Sequence, residues 1–175
     1  MRQLDERENV DAGVVLRNPV EAYTSQELAR EEWEEFFEKY PQVIGLSGDL
    51  PENGSFLTVD EFGVSILATR DSQGHFNAFF NACRHRGVQV ESEKRGKRLK
   101  FSCPFHKWTY NSNGELIAIP QEDHFGNIDK SCRGLIKLEA AEQHGLLWVH
   151  PKPGTSLNVN DLLGDFGAEL EGWGL

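Results

Sequence analysis

The chain has 175 residues, enough for one domain with its own core, and its 38% hydrophobic, 10% aromatic and 26% charged residues exclude disordered, collagen-like and membrane-spanning classes. The net charge of −10, from 18 Lys and Arg against 28 Asp and Glu, argues against nucleic acid as the main partner. Because no apolar run approaches the roughly 20 residues that span a bilayer, and the first thirty residues lack a signal peptide's apolar segment, we expect a cytoplasmic protein with no membrane partner.

One helix is predicted near the N-terminus, over Thr24–Tyr40, with Thr24 and Glu27 at the spacing of a capping box and Pro41 after its end. Its apolar residues fall on one stripe at helical spacing: Leu28, Ala29, Trp33, Phe36, Phe37 and Tyr40. Most of the glutamates occupy the other face, and residues 1–50 carry twelve acids and five bases. We interpret that face as solvated, with a docking surface for a basic partner as the alternative, and treat residues 1–41 as a helical arm.

From Gln42 onward the pattern changes to short β-type runs broken by Gly, Asn and Asp. The predicted strands are 56–59, 64–69, 75–80, 98–102, 108–110, 115–119, 135–139 and 145–150, with hairpin turns at 71–74 and 111–114. Strands at this spacing without alternating helices indicate an antiparallel all-β sandwich or small barrel over residues 42–151. Residues 152–175 are expected to form a linker with a short amphipathic piece from Leu162 to Phe166.

Two short motifs combine cysteine with histidine. Cys83 and His85 form C-x-H, Cys103 and His106 form C-x-x-H, and seventeen residues separate His85 from Cys103. Each loop offers a soft thiolate and an imidazole, so two loops converging at the tip of a β body supply two sulfurs and two nitrogens. These are the donors of a Rieske [2Fe–2S] centre, in which two histidines replace two cysteines on one iron. Residues 84–107, between and around the motifs, carry eight bases and two acids.

The same four donors also suit a tetrahedral zinc ion. Zinc fingers usually pair cysteine with cysteine and histidine with histidine, so the two mixed motifs match them poorly. Cys132 has no cysteine or histidine at ligand spacing and is expected to be a free thiol. The remaining histidines are interpreted as ordinary surface or turn residues: His75, His124, His144 and His150.

The runs 81–87 and 103–110, followed by Asn113-Gly114-Glu115-Leu116 and Pro120, resemble the Rieske domain of ring-hydroxylating oxygenase α subunits. The resemblance covers roughly residues 24–151 and implies a Rieske-type antiparallel β sandwich behind an N-terminal helical arm. It implies one [2Fe–2S] cluster per chain, with Cys83 and Cys103 on the buried iron and His85 and His106 on the outer iron. It also places the following residues around the cluster: Arg86, Gly87, Trp108 and Tyr110.

Lys107 departs from the family pattern, which usually has glycine directly after the second ligand histidine. If that position needs a positive φ, lysine is strained there, and its charge lies near the outer iron. High-potential Rieske proteins add a cysteine to each ligand loop and a serine two residues after the second histidine. This chain has Val88, Phe105 and Trp108 at those positions. The missing hydroxyl predicts a potential in the lower part of the Rieske range.

A mononuclear oxygenase iron needs two histidines and a carboxylate, and the family's spacing for them occurs nowhere in this sequence. The resemblance therefore implies an electron-transfer chain without catalytic residues, ending near where the family's catalytic domain would begin. Its implied partners are a reductase or ferredoxin donor and the catalytic iron of a neighbouring subunit in a trimer. The alternative is a free-standing Rieske ferredoxin, but such ferredoxins lack the long N-terminal helix and the tail.

Overall fold

The computed structural model describes residues 13–174, and three antiparallel sheets dominate them. The central sheet has the order β5 (Arg95–Lys97), β2 (Ser55–Val59), β3 (Ile66–Arg70), β4 (Phe76–Phe80), β9 (Lys137–Leu138). A second sheet has the order β1 (Gln42–Leu46), β11 (Leu146–Val149), β10 (Ala140–Gln143). The third, which carries the second ligand motif, joins β6 (Lys100–Ser102), β7 (Thr109–Asn111) and β8 (Leu116–Ala118). The predicted mainly antiparallel β fold is confirmed.

The central sheet is covered on both faces, so two cores form. Because side chains alternate along a strand, Phe56, Leu67 and Phe79 face one core, which also contains both motif cysteines. Their neighbours Leu57 and Ile66 face the other core, against β11 of the second sheet. Every residue of β2 is therefore buried, and the ligand loops rest on a closely packed layer.

Helices occur at the two ends of the described chain. At the N-terminal end, α1 (Glu21–Thr24) and α2 (Gln26–Glu32) lead into a π-helical turn at Trp33–Phe37. At the C-terminal end, α3 (Val159–Leu163) and α4 (Phe166–Glu171) pack on the body through buried Val159 and Leu170. Short 3-10 turns lie at Ser47–Asp49, Glu122–Phe125 and Lys130–Cys132. Among residues 13–174 no helix combines the length and apolarity needed to cross a bilayer.

The predicted capping box at Thr24 and Glu27 is wrong by one residue. Ser25 is extended, with φ −71° and ψ 119°, and its hydroxyl accepts a hydrogen bond from the Leu28 N–H at 3.3 Å. The Thr24 hydroxyl instead donates to the Val20 carbonyl at 3.2 Å, one turn back in α1. The segment is therefore two short helices with a break at Ser25, because Thr24 is already used by the first helix.

The apolar stripe of this arm is largely exposed. Leu28, Phe36, Phe37 and Tyr40 all lie on the surface, and only Trp33 reaches the body, where its ring covers Gly63. A β-carbon added to Gly63 would lie 3.2 Å from that ring. The helical spacing of the stripe therefore did not predict burial of its members.

Two strand predictions also need correction. The predicted strand 98–102 corresponds only to β6, which starts at Lys100 in the third sheet, and β5, which ends at Lys97 in the central sheet, was not predicted. Arg98 lies at the change of sheet, where its N–H donates to the Gly54 carbonyl at 2.8 Å. Strands β1 and β10 were not predicted at all. Both pair with β11, and this pairing overrides the weak β propensity of their glycine, alanine, glutamate and glutamine residues.

Candidate metal centre

The two ligand loops have the same backbone form. In the first, the Cys83 N–H donates to the Val88 carbonyl at 2.8 Å, and the Gly87 N–H donates to the Cys83 carbonyl at 2.8 Å. The second loop repeats both bonds at 2.9 Å and 3.0 Å, from Cys103 to Trp108 and from Lys107 back to Cys103. Each cysteine therefore starts a tight turn that brings the following histidine to the same end of the molecule.

In each loop the fourth residue after the cysteine is left-handed. Gly87 has φ 72° and Lys107 has φ 59°. Glycine adopts this region without steric cost, whereas lysine is strained there because its β-carbon lies too close to a backbone carbonyl oxygen. We expected Lys107 to be strained if this position required a positive φ. The φ of Lys107 is positive, as that expectation supposed.

The buried side chain of Asn81 stabilises the first ligand loop by hydrogen bonds. The side chain is 1% exposed, and its Oδ1 accepts from the N–H groups of Val90 and Glu91 at 3.1 Å and 3.0 Å. Its Nδ2 donates to the Glu91 carbonyl at 2.7 Å and to the Ser65 hydroxyl at 3.2 Å. These four hydrogen bonds from one buried amide hold the two ends of the loop together. This role of Asn81 was not predicted from the sequence.

The second loop is held by the β6–β7 hairpin. Phe101 pairs with Tyr110 and Ser102 with Thr109 in that ladder. Cys103 therefore directly follows β6, and Trp108 directly precedes β7. The Phe101 ring packs edge-on against Phe56 of the central sheet, with 5.5 Å between centroids. Both loops are therefore fixed to the same core.

The four predicted donors meet as two pairs. Cys83 and Cys103 are buried free thiols that lie within interaction distance of each other. The His85 and His106 rings lie next to one another, with centroids 4.7 Å apart. Within residues 13–174 no three potential ligands converge on a single metal-ion position. The arrangement is thus one sulfur pair beside one nitrogen pair.

The Nδ1 atoms of His85 and His106 are buried and have no hydrogen-bond partner in the described structure. Buried polar atoms rarely stay unpaired unless a ligand, ion or water occupies the adjacent space. Burial, together with the nearby His106 and Arg86, lowers the pKa of His85, so its ring is neutral and able to coordinate at neutral pH. Two buried thiols and two such nitrogens fit the donor set of a Rieske cluster.

Burial also raises the pKa of the Cys83 thiol, only partly offset by the Tyr110 hydroxyl. Without a metal, Cys83 therefore holds its proton, and coordination must release that proton. Tyr110 is fully buried; its oxygen lies 3.3 Å from the Cys83 sulfur and accepts the Arg84 N–H at 2.9 Å. While Cys83 holds its proton, either group can be the donor in this contact; once coordination removes that proton the sulfur can only accept, and the Tyr110 hydroxyl is then the donor. Burial and Cys83 raise the pKa of Tyr110, so it stays a donor.

Aromatic rings enclose His85. Trp108 stacks on it with centroids 4.9 Å apart and planes 10° apart, and its Nε1 is also buried without a partner in residues 13–174. Phe125 meets the His85 ring edge-on at 5.7 Å and the Trp108 ring at 5.9 Å. Sequence reasoning missed Phe125; the one available signal was a lone aromatic residue in an otherwise polar loop.

The outer surface of the centre is basic. Arg84, Arg86 and Lys107 are exposed beside the two histidines, and the Arg86 guanidinium lies 6.0 Å from the Phe105 ring centroid. Gly87 is exposed as well, with open space around it. The predicted cluster-surrounding residues thus divide into a buried set, Trp108 and Tyr110, and a solvent-facing set that comprises Arg86, Gly87 and Lys107.

The other candidate residues lie outside this centre. Cys132 is a free, exposed thiol that donates to the Asp129 carbonyl at 3.1 Å. His75 and His124 are exposed, and His144 lies at the turn before β11 with φ 55°. The interpretation of His150 as a surface or turn residue is wrong. It is 4% exposed, and because its Nδ1 accepts the Lys152 N–H, its Nε2 donates to the Lys39 carbonyl at 3.2 Å. It fastens the helical arm to the body.

Comparisons with known proteins identify the domain. The model of the Rieske [2Fe-2S] domain matches residues 40–137, more than half of the chain. The anthranilate 1,2-dioxygenase large subunit of Acinetobacter baylyi is 32% identical over 152 residues, covering 86% of this chain and 32% of that subunit. The glycine betaine monooxygenase oxygenase subunit of Chromohalobacter salexigens is 33% identical over 131 residues, covering 75% of this chain and 29% of that subunit.

Among solved structures, naphthalene 1,2-dioxygenase from Rhodococcus sp. bound to indole superimposes with a TM-score of 0.80 at 29% identity. That match covers 87% of this chain and 35% of the dioxygenase chain. The present chain thus spans about a third of the length of the relatives that it matches, and the shared part is their Rieske domain.

Proposed function

The chain belongs to the Rieske [2Fe–2S] domain family, and we propose that it is the electron-transfer part of a ring-hydroxylating oxygenase α subunit. The observation that carries this proposal is the pairing of donors: two buried thiols beside two imidazoles whose buried Nδ1 atoms lack partners in residues 13–174. Separate sulfur and nitrogen pairs are what the two unlike irons of a Rieske cluster require. When bound, the cluster would accept and release one electron at a time.

We assign Cys83 and Cys103 to the inner iron and His85 and His106 to the outer iron. The thiols lie in the same core as the central sheet, whereas the histidines lie next to exposed Phe105 and Lys107. Burial of the sulfurs protects them from solvent and oxidants. The position of the imidazoles near the surface gives an electron a short path to a docked partner.

The division of the chain follows the same reasoning. We propose residues 1–41 as an arm, 42–151 as the Rieske domain and 152–175 as the link to a catalytic domain that holds a mononuclear iron. A cytoplasmic reductase or ferredoxin would supply electrons from NAD(P)H, and a trimer of α subunits would deliver them to a neighbouring catalytic iron. A free-standing ferredoxin fits less well, because His150 fastens the arm to the body and the relatives described above are oxygenase subunits.

The test is to load the chain anaerobically with iron and sulfide, then add reductase, NAD(P)H, iron(II) and a panel of aromatic substrates. We expect two irons per chain and visible absorbance that bleaches on reduction, without any hydroxylated product. C83S and C103S should lose both the iron and the absorbance, whereas C132S, the matched control at an exposed thiol, should keep them. Full absorbance in C83S, or oxygenated product from this chain alone, would contradict the proposal.

A further inference from the structure

Trp108 carries a buried hydrogen-bond donor that no group of the described chain satisfies. Its side chain is 3% exposed, and its Nε1–H has no acceptor within residues 13–174. The buried indole of Trp148 differs, since its Nε1–H donates to the Gln143 carbonyl at 3.2 Å. An indole N–H can only donate, and burying such a group without an acceptor is costly. An acceptor is therefore expected beside Trp108.

The indole lies against a ligand of the metal centre. Its ring is nearly parallel to that of His85, with centroids 4.9 Å and planes 10° apart. The Trp108 carbonyl accepts the Cys103 N–H at 2.9 Å, which fixes the backbone of Trp108 to the second ligand loop. Phe125 contacts the His85 and Trp108 rings edge-on and helps to exclude solvent from them. The acceptor must therefore come from the centre rather than from bulk water.

Unpaired buried polar atoms are concentrated at this centre. In the described part of the chain four buried side-chain polar atoms lack a partner, and three of them belong to His85, His106 and Trp108. The fourth is Nε2 of His144, which lies beside Gly167 of α4. Buried polar groups are rarely left unpaired, so three of them in neighbouring side chains indicate one bound group that satisfies them all.

Sulfur is the acceptor that such a group offers to the indole. In the proposed function the Nδ1 lone pairs of His85 and His106 bind iron, so these nitrogens cannot also accept a hydrogen bond. A Rieske cluster adds bridging sulfides and two thiolates, and all of these sulfurs carry negative charge. The Tyr110 oxygen lies 3.3 Å from the Cys83 sulfur, whereas Trp108 lies against His85. The two donors would therefore approach the cluster at different ligands.

We propose that Trp108 is a cofactor-binding residue whose Nε1–H donates a hydrogen bond to a sulfur atom of the cluster. This inference rests on the proposed function. One electron added by an external reductant increases the negative charge on the sulfur atoms, so a hydrogen bond to them becomes stronger. No covalent bond and no proton transfer is involved. The indole of Trp108 therefore favours the reduced state and raises the midpoint potential.

Pulsed EPR of the loaded and reduced chain tests the contact directly, with tryptophan labelled with ¹⁵N at the indole nitrogen. A hydrogen bond to the cluster transfers a little unpaired spin to the donor nitrogen, so the spectrum should contain one weak ¹⁵N coupling. W108F should lose this coupling. W148F, the matched control, should keep it, because it also replaces a buried indole but one whose N–H is bonded within the fold.

The midpoint potential measures the effect of the bond on the cluster. Incorporation of β-(3-benzothienyl)alanine at position 108 keeps the shape and stacking of the side chain and replaces its N–H by sulfur. The equilibrium constant for reduction should fall about three- to tenfold, which lowers the potential by about 30 to 60 mV in a one-electron couple. The same replacement at position 148 should leave the potential unchanged.

A loaded wild-type chain without ¹⁵N-tryptophan coupling would overturn the inference, and so would a coupling that W108F retains. Equal potentials for the indole and benzothienyl side chains at position 108 would also contradict it. The labelled wild-type spectrum needs no variant, so poor folding of W108F leaves the test intact. Visible absorbance before reduction separates the two proposals: a colourless wild-type chain contradicts the proposed function, whereas a coloured chain without the coupling contradicts only the hydrogen bond from Trp108.

Discussion

We expect the Tyr110 hydroxyl to increase the electron affinity of the centre. When Cys83 is a coordinated thiolate, the hydroxyl would donate to its sulfur across 3.3 Å within a fully buried site, and such a bond stabilises the extra electron of a reduced cluster. Y110F keeps the ring and removes the bond. If that bond contributes about 1 kcal/mol, the midpoint potential should fall by about 40 mV in a one-electron couple.

A spectroelectrochemical titration measures this shift. Y40F is the matched control, because Tyr40 is exposed on the arm, and its potential should equal that of the wild-type chain. A Y110F potential equal to or above the wild-type value would mean that the hydroxyl does not donate to the centre.

Lys107 and Gly87 occupy equivalent left-handed positions, with φ 59° and 72°. The substitutions K107G and G87A should therefore have opposite effects on stability. K107G should raise the free energy of unfolding by about 1 kcal/mol, because it relieves the β-carbon contact. G87A should lower it by a similar amount through backbone strain alone, since no atom lies within 4 Å of the added carbon. Urea titrations measure both variants. A destabilising K107G would show that the lysine side chain contributes stability that the backbone geometry does not reveal.

At the scale of elements, the first ligand loop depends on Asn81. N81A leaves the buried N–H groups of Val90 and Glu91 without an acceptor, at a cost of about 2–4 kcal/mol for two unsatisfied groups. We expect faster cluster loss, followed as decay of visible absorbance at constant temperature. N77A is the control, since Asn77 makes only long contacts of 3.4 Å and 3.5 Å on β4. Equal decay in N81A and the wild-type chain would contradict the role given to Asn81.

Arg70 of β3 connects the central sheet to β10 of the second sheet. Its guanidinium makes two 2.8 Å bonds to Glu142 and one 2.6 Å bond to the Leu50 carbonyl. The bonds from Arg70, and a smaller one from Ser47, hold the pKa of Glu142 below its usual 4.5, although partial burial opposes them. A lowered pKa contributes stability that is complete above pH 4.5 and is lost as the pH falls through the folded-state value.

Urea unfolding between pH 7 and pH 3 tests this link. Between pH 7 and pH 3, the free energy of unfolding of the wild-type chain should fall by about 1 kcal/mol more than that of E142Q, after allowance for the partial exposure of Glu142. E115Q is the control, because Glu115 is exposed and does not join the two sheets. Parallel stability curves for E142Q and the wild-type chain would exclude this contribution.

The sequence predicted most of the elements because their signals are local. Alternation in Val64–Thr69 and the turn residues of 71–74 and 111–114 act within a few positions, and the corresponding strands formed. Strand β10 could not be predicted because its alanine, glutamate and glutamine residues have weak β propensity, and its pairing with the adjacent β11 decides its conformation. Strand β1 could not be predicted because its partner β11 lies about 100 residues away. Phe125 and His150 were missed for the same reason, because their contacts are with residues distant in the chain.

At the scale of the whole molecule, charge and exposure differ between the arm and the motif region. The arm, residues 1–41, carries 11 of the 28 acids and an exposed apolar stripe, whereas the motif region, residues 84–107, carries eight of the 18 bases close to the buried thiols. The spacing of C-x-H and C-x-x-H predicted four donors, and the fold brings their sulfurs next to each other and their imidazole rings next to each other. That pairing is the basis of the electron-transfer function proposed for this chain.

Pulsed EPR of the loaded and reduced chain tests this pairing most directly. A cluster with His85 and His106 on the outer iron must give a signal with hyperfine coupling to two imidazole nitrogens, and that coupling must change when the histidines are labelled with ¹⁵N. The control H124A, at an exposed histidine outside the centre, should leave the spectrum unchanged. A signal without coupling to two nitrogens, or an EPR-silent chain that holds zinc instead of iron, would contradict the account.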